Sequence, residues 1–148
     1  IMETMTALEE IILAVRAARE NTGLTVMASM VYDKGPRGFF TMMGVTPERG
    51  VSELETAGVD VVGTNCGNGI EVMVELARQV RAAAEGYVIV QSNAGIPAIQ
   101  KGQIIYPESP DYMAPYYREL VDIGVNVIGG CCGTTPDHIR ATVGSVRG

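Results

Sequence analysis

The chain has 148 residues, 47% of them hydrophobic, enough to bury the core of one ordinary domain. Its 11 basic and 17 acidic residues leave a net charge of −6, and no stretch sets Lys or Arg beside aromatics as a phosphate-tracking surface requires, which argues against nucleic acid as a partner. The apolar runs are short and broken by Gly or charge, so neither a membrane span nor a signal peptide is expected and the cytoplasm is the default location.

In chain order, Ile1 to Glu3 read as the end of a strand running into a helix. The chain also opens on Ile1 rather than Met, which suggests a piece of something longer. Leu8, Ile11, Ile12 and Val15 then recur at helical spacing. Apolar, β-branched runs follow at 25–31, 59–64, 87–91 and 125–128, separated by roughly the thirty residues of a βα unit. Between the second and third, Ile70, Met73, Val74, Ala77 and Val80 line one helical face.

Three helix starts share one wording: Thr46-Pro47-Glu48, Ser109-Pro110-Asp111 and Thr135-Pro136-Asp137. The hydroxyl can cap free backbone N–H groups, Pro fits the first helical position, and the acid complements the helix dipole. Gly58, Gly86 and Gly124 stand where a helix must turn into the next strand, as a left-handed residue does. Nearly all-apolar strands alternating with amphipathic helices imply an α/β fold with a parallel sheet covered by helices, in one domain spanning 1–148. An open doubly wound sheet and part of a (βα)₈ barrel both fit. Length favours the open sheet, but Cys66-Gly67-Asn68-Gly69 lacks the G-x-G-x-x-G spacing that lets a backbone approach a pyrophosphate.

Ligands of parallel α/β folds bind at the C-terminal ends of the strands, and all three cysteines stand there. Cys66 follows the second run through Asn65; Cys131 and Cys132 follow the fourth through Gly129 and Gly130. Neighbours in a strand point to opposite faces, so the adjacent pair can reach one metal only from a turn, which Gly129, Gly130 and Gly133 allow. Three convergent thiolates suit zinc and leave a fourth tetrahedral position free, the mark of a catalytic site. Zinc would hold a bound thiol as the nucleophilic thiolate, and alkyl transfer to sulfur is the natural reaction class. The competing readings are buried apolar thiols, a strained disulfide between Cys131 and Cys132, and a closed zinc site using the single His138, for which an exposed or helix-packing place fits better.

Gly63-Thr64-Asn65-Cys66, Ser92-Asn93-Ala94-Gly95-Ile96-Pro97 and the block from Gly129-Gly130-Cys131-Cys132-Gly133 through Ile139 resemble, in order and spacing, three blocks of the homocysteine S-methyltransferase family. The resemblance implies the C-terminal part of a (βα)₈ TIM barrel, from the end of strand four through strand eight and its helix, with strands one to three missing. It implies that Cys66, Cys131 and Cys132 are zinc ligands. Glu3 corresponds to the acid holding the homocysteine ammonium group, with an ordinary helix-start acid as the alternative. Asn93 corresponds to the Asn near the metal, with a turn residue as the alternative. Ser29 could line the pocket or belong to the core. The loop 32–45, with Gly35, Gly38, Phe39, Phe40, Met42 and Met43, lies at the active end, where loops act as lids or pack beneath themselves.

The implied reaction is methyl transfer to the homocysteine thiol, forming methionine. The donor stays open between methylcobalamin, betaine and S-methylmethionine, with the Gly-Thr-Asn-Cys wording nearer cobalamin-linked methionine synthase. Homocysteine and a cobalamin- or folate-binding domain are the implied partners, and an open sheet edge allows a homo-oligomer. Such a fragment is expected to be impaired alone. Methylation of another thiol or selenol, a non-catalytic zinc-binding module, and a phosphate site at Thr134 and Thr135 remain alternatives.

Overall fold

The computed structural model describes residues 1–147. Five strands form one parallel sheet: β1 (Met2–Met5), β2 (Met27–Met30), β5 (Val61–Asn65), β6 (Tyr87–Ser92) and β9 (Val127–Gly130), ordered β1-β2-β5-β6-β9. The helices are α1 (Leu8–Asn21), α2 (Pro47–Ala57), α3 (Ile70–Ala83), α4 (Pro110–Ile123) and α5 (Pro136–Arg147). Two short antiparallel hairpins complete the described residues: β3 (Asp33–Gly35) with β4 (Gly38–Phe40), and β7 (Ala98–Gln100) with β8 (Gln103–Ile105). No helix among these residues is long and apolar enough to cross a membrane.

Spatial order repeats chain order, so the sheet has no point at which strand order reverses, as a doubly wound sheet must. Right-handed crossovers that always advance the same way place every helix on one face. Successive helices accordingly pack side by side, from α1 against α2 to α4 against α5. The core lies between that layer and the sheet: Leu8, Ile11 and Val15 meet Ala28, Met30, Leu54, Val62, Met73, Leu76, Val88 and Val90, all buried. Strand residues alternate between faces, and register partners in parallel strands share one. Ser29, Gly63 and Ile89 therefore fall on the opposite, helix-free face.

Three departures from the sequence reading have local causes. Val59 and Val125 are not strand residues. Each follows a glycine in the left-handed region, Gly58 and Gly124, both at φ +95°, and donates its N–H back to Leu54 O and Leu120 O. They are the apolar residues that close a helix C-terminus, so each apolar run overstates its strand at the start. Gly86 is not left-handed; α3 ends through Ala84 in extended conformation. The Glu55 carboxylate instead accepts the N–H groups of Glu85 and Gly86, each at 2.9 Å.

The loop 32–45 contains the β3-β4 hairpin, with Tyr32 and Phe39 buried and Met42 and Met43 exposed. The β7-β8 hairpin turns on Lys101 (φ +49°) and Gly102 (φ +78°), two residues with positive φ, as a two-residue hairpin loop requires.

Candidate metal centre

Cys66 follows the last residue of β5 and adopts φ +61°, uncommon for a residue with a side chain. Two backbone bonds hold it there: Cys66 N–H donates to Gln91 O at 3.0 Å, and Asn68 N–H to Cys66 O at 2.8 Å. Cys131 and Cys132 form the turn after β9. Cys131 N–H donates to Ser92 O at 2.8 Å, Ala94 N–H to Cys132 O at 2.9 Å, and the Thr134 hydroxyl to Cys131 O at 2.7 Å.

The turn carries the sulfurs of successive residues to one side. Cys66 Sγ lies 3.8 Å from Cys132 Sγ, Cys131 Sγ lies 4.0 Å from Cys132 Sγ, and all three fall within 4.8 Å of one another. Ligands about 2.3 Å from a tetrahedral zinc are separated by about 3.8 Å, so the spacing fits the ion. Among the described residues no His, Asp or Glu ligand atom joins the cluster. The donor set is three soft sulfurs, one ligand fewer than a closed tetrahedral site has.

The alternatives for the cysteines find no support in this geometry. Cys66 and Cys131 are half-buried and Cys132 is exposed, unlike thiols serving as core filler. The Cys131 and Cys132 sulfurs stand about twice a bond length apart. His138 is buried rather than exposed, and both ring nitrogens are occupied: Thr135 N–H donates to Nδ1 at 3.1 Å, and Nε2 faces Glu108 O at 2.9 Å. A backbone N–H can only donate and a carbonyl only accept, so the ring is the neutral Nε2–H tautomer. The same bonds speak against a phosphate site, because Thr135 N–H is taken by His138 and Thr134 N–H by Cys131 O.

The remaining sequence-singled residues occupy distinct places. Asn93 is 4% exposed, and its amide oxygen accepts Cys132 N–H at 3.1 Å. Ser29 is fully buried and donates to Asn65 Oδ1 at 2.7 Å. Glu3 is exposed on the edge strand β1 and makes no ion pair among the described residues. Its neighbour Thr4 (φ +64°) is tied to the site by two bonds with the Asn65 amide, at 2.8 and 2.7 Å.

Asn65, which sequence reasoning passed over, joins these parts: it accepts from Thr4 and Ser29 and points Nδ2 at Cys131 Sγ, 3.8 Å away. Strand alternation carried a signal for it, since residues 63 and 65 share a face. Tyr106, just after β8, was also missed, because the hairpin that delivers it was unrecognised. Its ring packs so closely on Gly133 that a Cβ there would fall 2.1 Å from ring Cγ. Burial, and then the Cys132 sulfur, raise its hydroxyl above an ordinary phenol.

Two expected outcomes follow from this packing and charge. Gly133 adopts φ +79°, so Gly133→Ala adds backbone strain to the clash with Tyr106 and displaces the cysteine turn. Zinc affinity, measured by chelator competition, should fall about ten- to a hundredfold, as when a ligand's support is lost. Unchanged affinity would show that the turn does not depend on Gly133. Burial and then the Cys66 sulfur push the Cys131 thiol up to about 11, so the metal-free chain keeps that proton at neutral pH. Metal must displace it, and apparent zinc affinity should rise about tenfold per pH unit between about pH 6 and 9 for this thiol alone. A flat profile over that range would contradict a protonated ligand set.

Residues 1–146 match the family profile described as homocysteine S-methyltransferase. Over 97 residues, 65% of the chain, the sequence is 38% identical to a methionine synthase of Mycobacterium leprae and 37% identical to one of Mycobacterium tuberculosis. The match spans 8% of the length of each of these relatives. The fold is shared with crystal structures of the homocysteine methyltransferase MmuM from Escherichia coli. The oxidized form gives a TM-score of 0.75 at 21% identity and the metallated form 0.74 at 20%. These alignments cover 99% of this chain and 44% or 43% of those chains.

Proposed function

The chain belongs to the homocysteine S-methyltransferase family, and from that premise we propose that it carries the thiol-activating part of a zinc-dependent methyl transfer that converts homocysteine to methionine. The observation that carries this reading is the sulfur triangle at the strand ends, with edges of 3.8 and 4.0 Å at Cys132 close to those of tetrahedral zinc and the third within 4.8 Å. Cys66, Cys131 and Cys132 would hold the ion. When bound, zinc supplies a Lewis acid that keeps a fourth, substrate sulfur in its thiolate form near neutral pH.

The surrounding residues act by position. Asn93 fixes Cys132 through its backbone N–H, and Asn65 couples Cys131 to β1 and β2. Glu3 is assigned to the substrate ammonium group, which a carboxylate on the rim beside Thr4 can pair with. Held in place, the substrate thiolate attacks the donor methyl carbon; the new S–C bond forms as the donor's bond to that carbon breaks. Proximity and orientation are the chain's main contributions to rate.

We read the fold as the C-terminal part of a (βα)₈ barrel, from the end of strand four through strand eight. Support comes from the chain-ordered sheet with one helix layer and from the partial coverage of the MmuM fold. The edges at β1 and β9 would then meet the remaining strands or a second copy. The donor is assigned to methylcobalamin presented by a separate cobalamin-binding domain and fed by a folate-binding one, for which the 38% and 37% identity to methionine synthases is the support. X-ray absorption at the zinc edge tests the reading. Homocysteine should add a fourth sulfur to the zinc shell, and zinc that binds without responding to homocysteine would contradict it in favour of a non-catalytic module.

A further inference from the structure

Next to the sulfur cluster, the helix-free face of the sheet carries a side chain whose hydrogen bonding is incomplete. Gln91 lies on β6 with Asn65 and Gly129 as its register partners, so the three positions share that face. The Asn65 amide is fully used by Thr4, Ser29 and Cys131. Gln91 Oε1, by contrast, is buried and has no hydrogen-bond partner among the described residues. Gly129 leaves it room: a Cβ there would stand 3.2 Å from Gln91 Cγ. The Gln91 backbone is itself part of the site, since its carbonyl accepts Cys66 N–H at 3.0 Å and that of Ser92 accepts Cys131 N–H at 2.8 Å.

A buried acceptor without a donor is unfavourable, and each such atom in a folded protein calls for a partner. The thiol amino acid assigned to this site under the proposed function has three polar groups. Its thiolate and carboxylate only accept, and only its ammonium donates. We propose that Gln91 is a specificity-determining residue whose carboxamide oxygen accepts a hydrogen bond from the ammonium group of the thiol amino acid. An ammonium has three N–H donors, so a bond to Gln91 leaves two for other acceptors such as a carboxylate.

The inference rests on the proposed function, and the test separates the two. Zinc-loaded full chain is titrated with L-homocysteine and with 4-sulfanylbutanoate, which keeps the thiol and carboxylate but lacks the amine. Binding is read by calorimetry and by the zinc-edge spectrum. Gln91→Met, similar in length but without the amide, should weaken homocysteine about ten- to a hundredfold, the range for a hydrogen bond to a charged group. Zinc content and 4-sulfanylbutanoate affinity should stay unchanged. Gln91→Glu, which keeps an acceptor, should retain the preference for homocysteine and serves if the Met variant fails to fold. Equal weakening of both thiols, no weakening of either, or a folded, zinc-loaded Gln91→Glu that has lost the preference would overturn the inference. Homocysteine that fails to reach zinc in the unaltered chain would instead overturn the proposed function.

Discussion

Cys66→Ser should abolish zinc binding while leaving the metal-free fold intact. The two other sulfurs come from adjacent residues on one turn, and Cys66, just after β5, contributes the third corner of the sulfur triangle. Without it two sulfurs remain, and oxygen replaces sulfur in a site whose softness selects the ion. Loss of a supporting bond already costs ten- to a hundredfold in metal affinity, so loss of a ligand should exceed about a hundredfold. The fold should tolerate the change because Cys66 is half-buried and its place is set by backbone bonds that Ser also makes. Metal analysis after dialysis, alongside thermal unfolding of the metal-free protein, checks both halves. A folded Cys66→Ser variant with a full complement of zinc would remove Cys66 from the site.

Gly63→Ala should produce the largest loss of stability among substitutions of its size. Gly63 lies opposite Ile89 in the β5-β6 register, and a Cβ there would fall 1.9 Å from Ile89 O and 2.8 Å from Ile89 C. The obstacle is backbone inside a sheet whose two strands are buried here, so no rotamer change relieves it. Overpacking costs about 1–3 kcal/mol and occasionally more, and this change belongs at the upper end. Gly144, inside α5 with nothing within 4 Å of its Cβ direction, is the control. There Ala should stabilise by about 0.5–1 kcal/mol through reduced backbone freedom. Urea denaturation of both variants measures the contrast, and a Gly63→Ala variant as stable as the unaltered chain would show that β5 and β6 can separate without cost.

The fold was legible wherever a residue's role is local. Thr46 and Ser109 accept N–H groups from Arg49 and Tyr112 as their Pro-acid contexts implied, and Ile11 and Val15 are buried at the expected helical spacing. Thr135 departs from that pattern because its hydroxyl turns to His138 Nδ1 at 2.9 Å, a partner three residues away. The start of α3 shows the limit more sharply. No capping side chain precedes Ile70, whose N–H goes to the Glu108 carboxylate at 2.8 Å, 38 residues later in the chain.

The hairpin bearing Tyr106 went unread because Ile99, Ile104 and Ile105 are exposed, so apolar character there did not signal core. The three cysteines were legible as a group because strand ends converge in a parallel sheet and because Gly-Gly-Cys-Cys-Gly implies a turn. Their supports were not. Alternation along β5 put Asn65 on the face of Gly63, but its partners and those of Gln91 follow from register with neighbouring strands, which spacing along one strand does not encode.

The central claim is that Cys66, Cys131 and Cys132 together hold one zinc ion. The most direct measurement is a crystal of the zinc-loaded protein with diffraction data collected on both sides of the zinc absorption edge. A single anomalous peak within bonding distance of all three sulfurs, about 2.3 Å from each, is the predicted result. A Cys66 sulfur lying far from the other two, with no anomalous density between them, would contradict it.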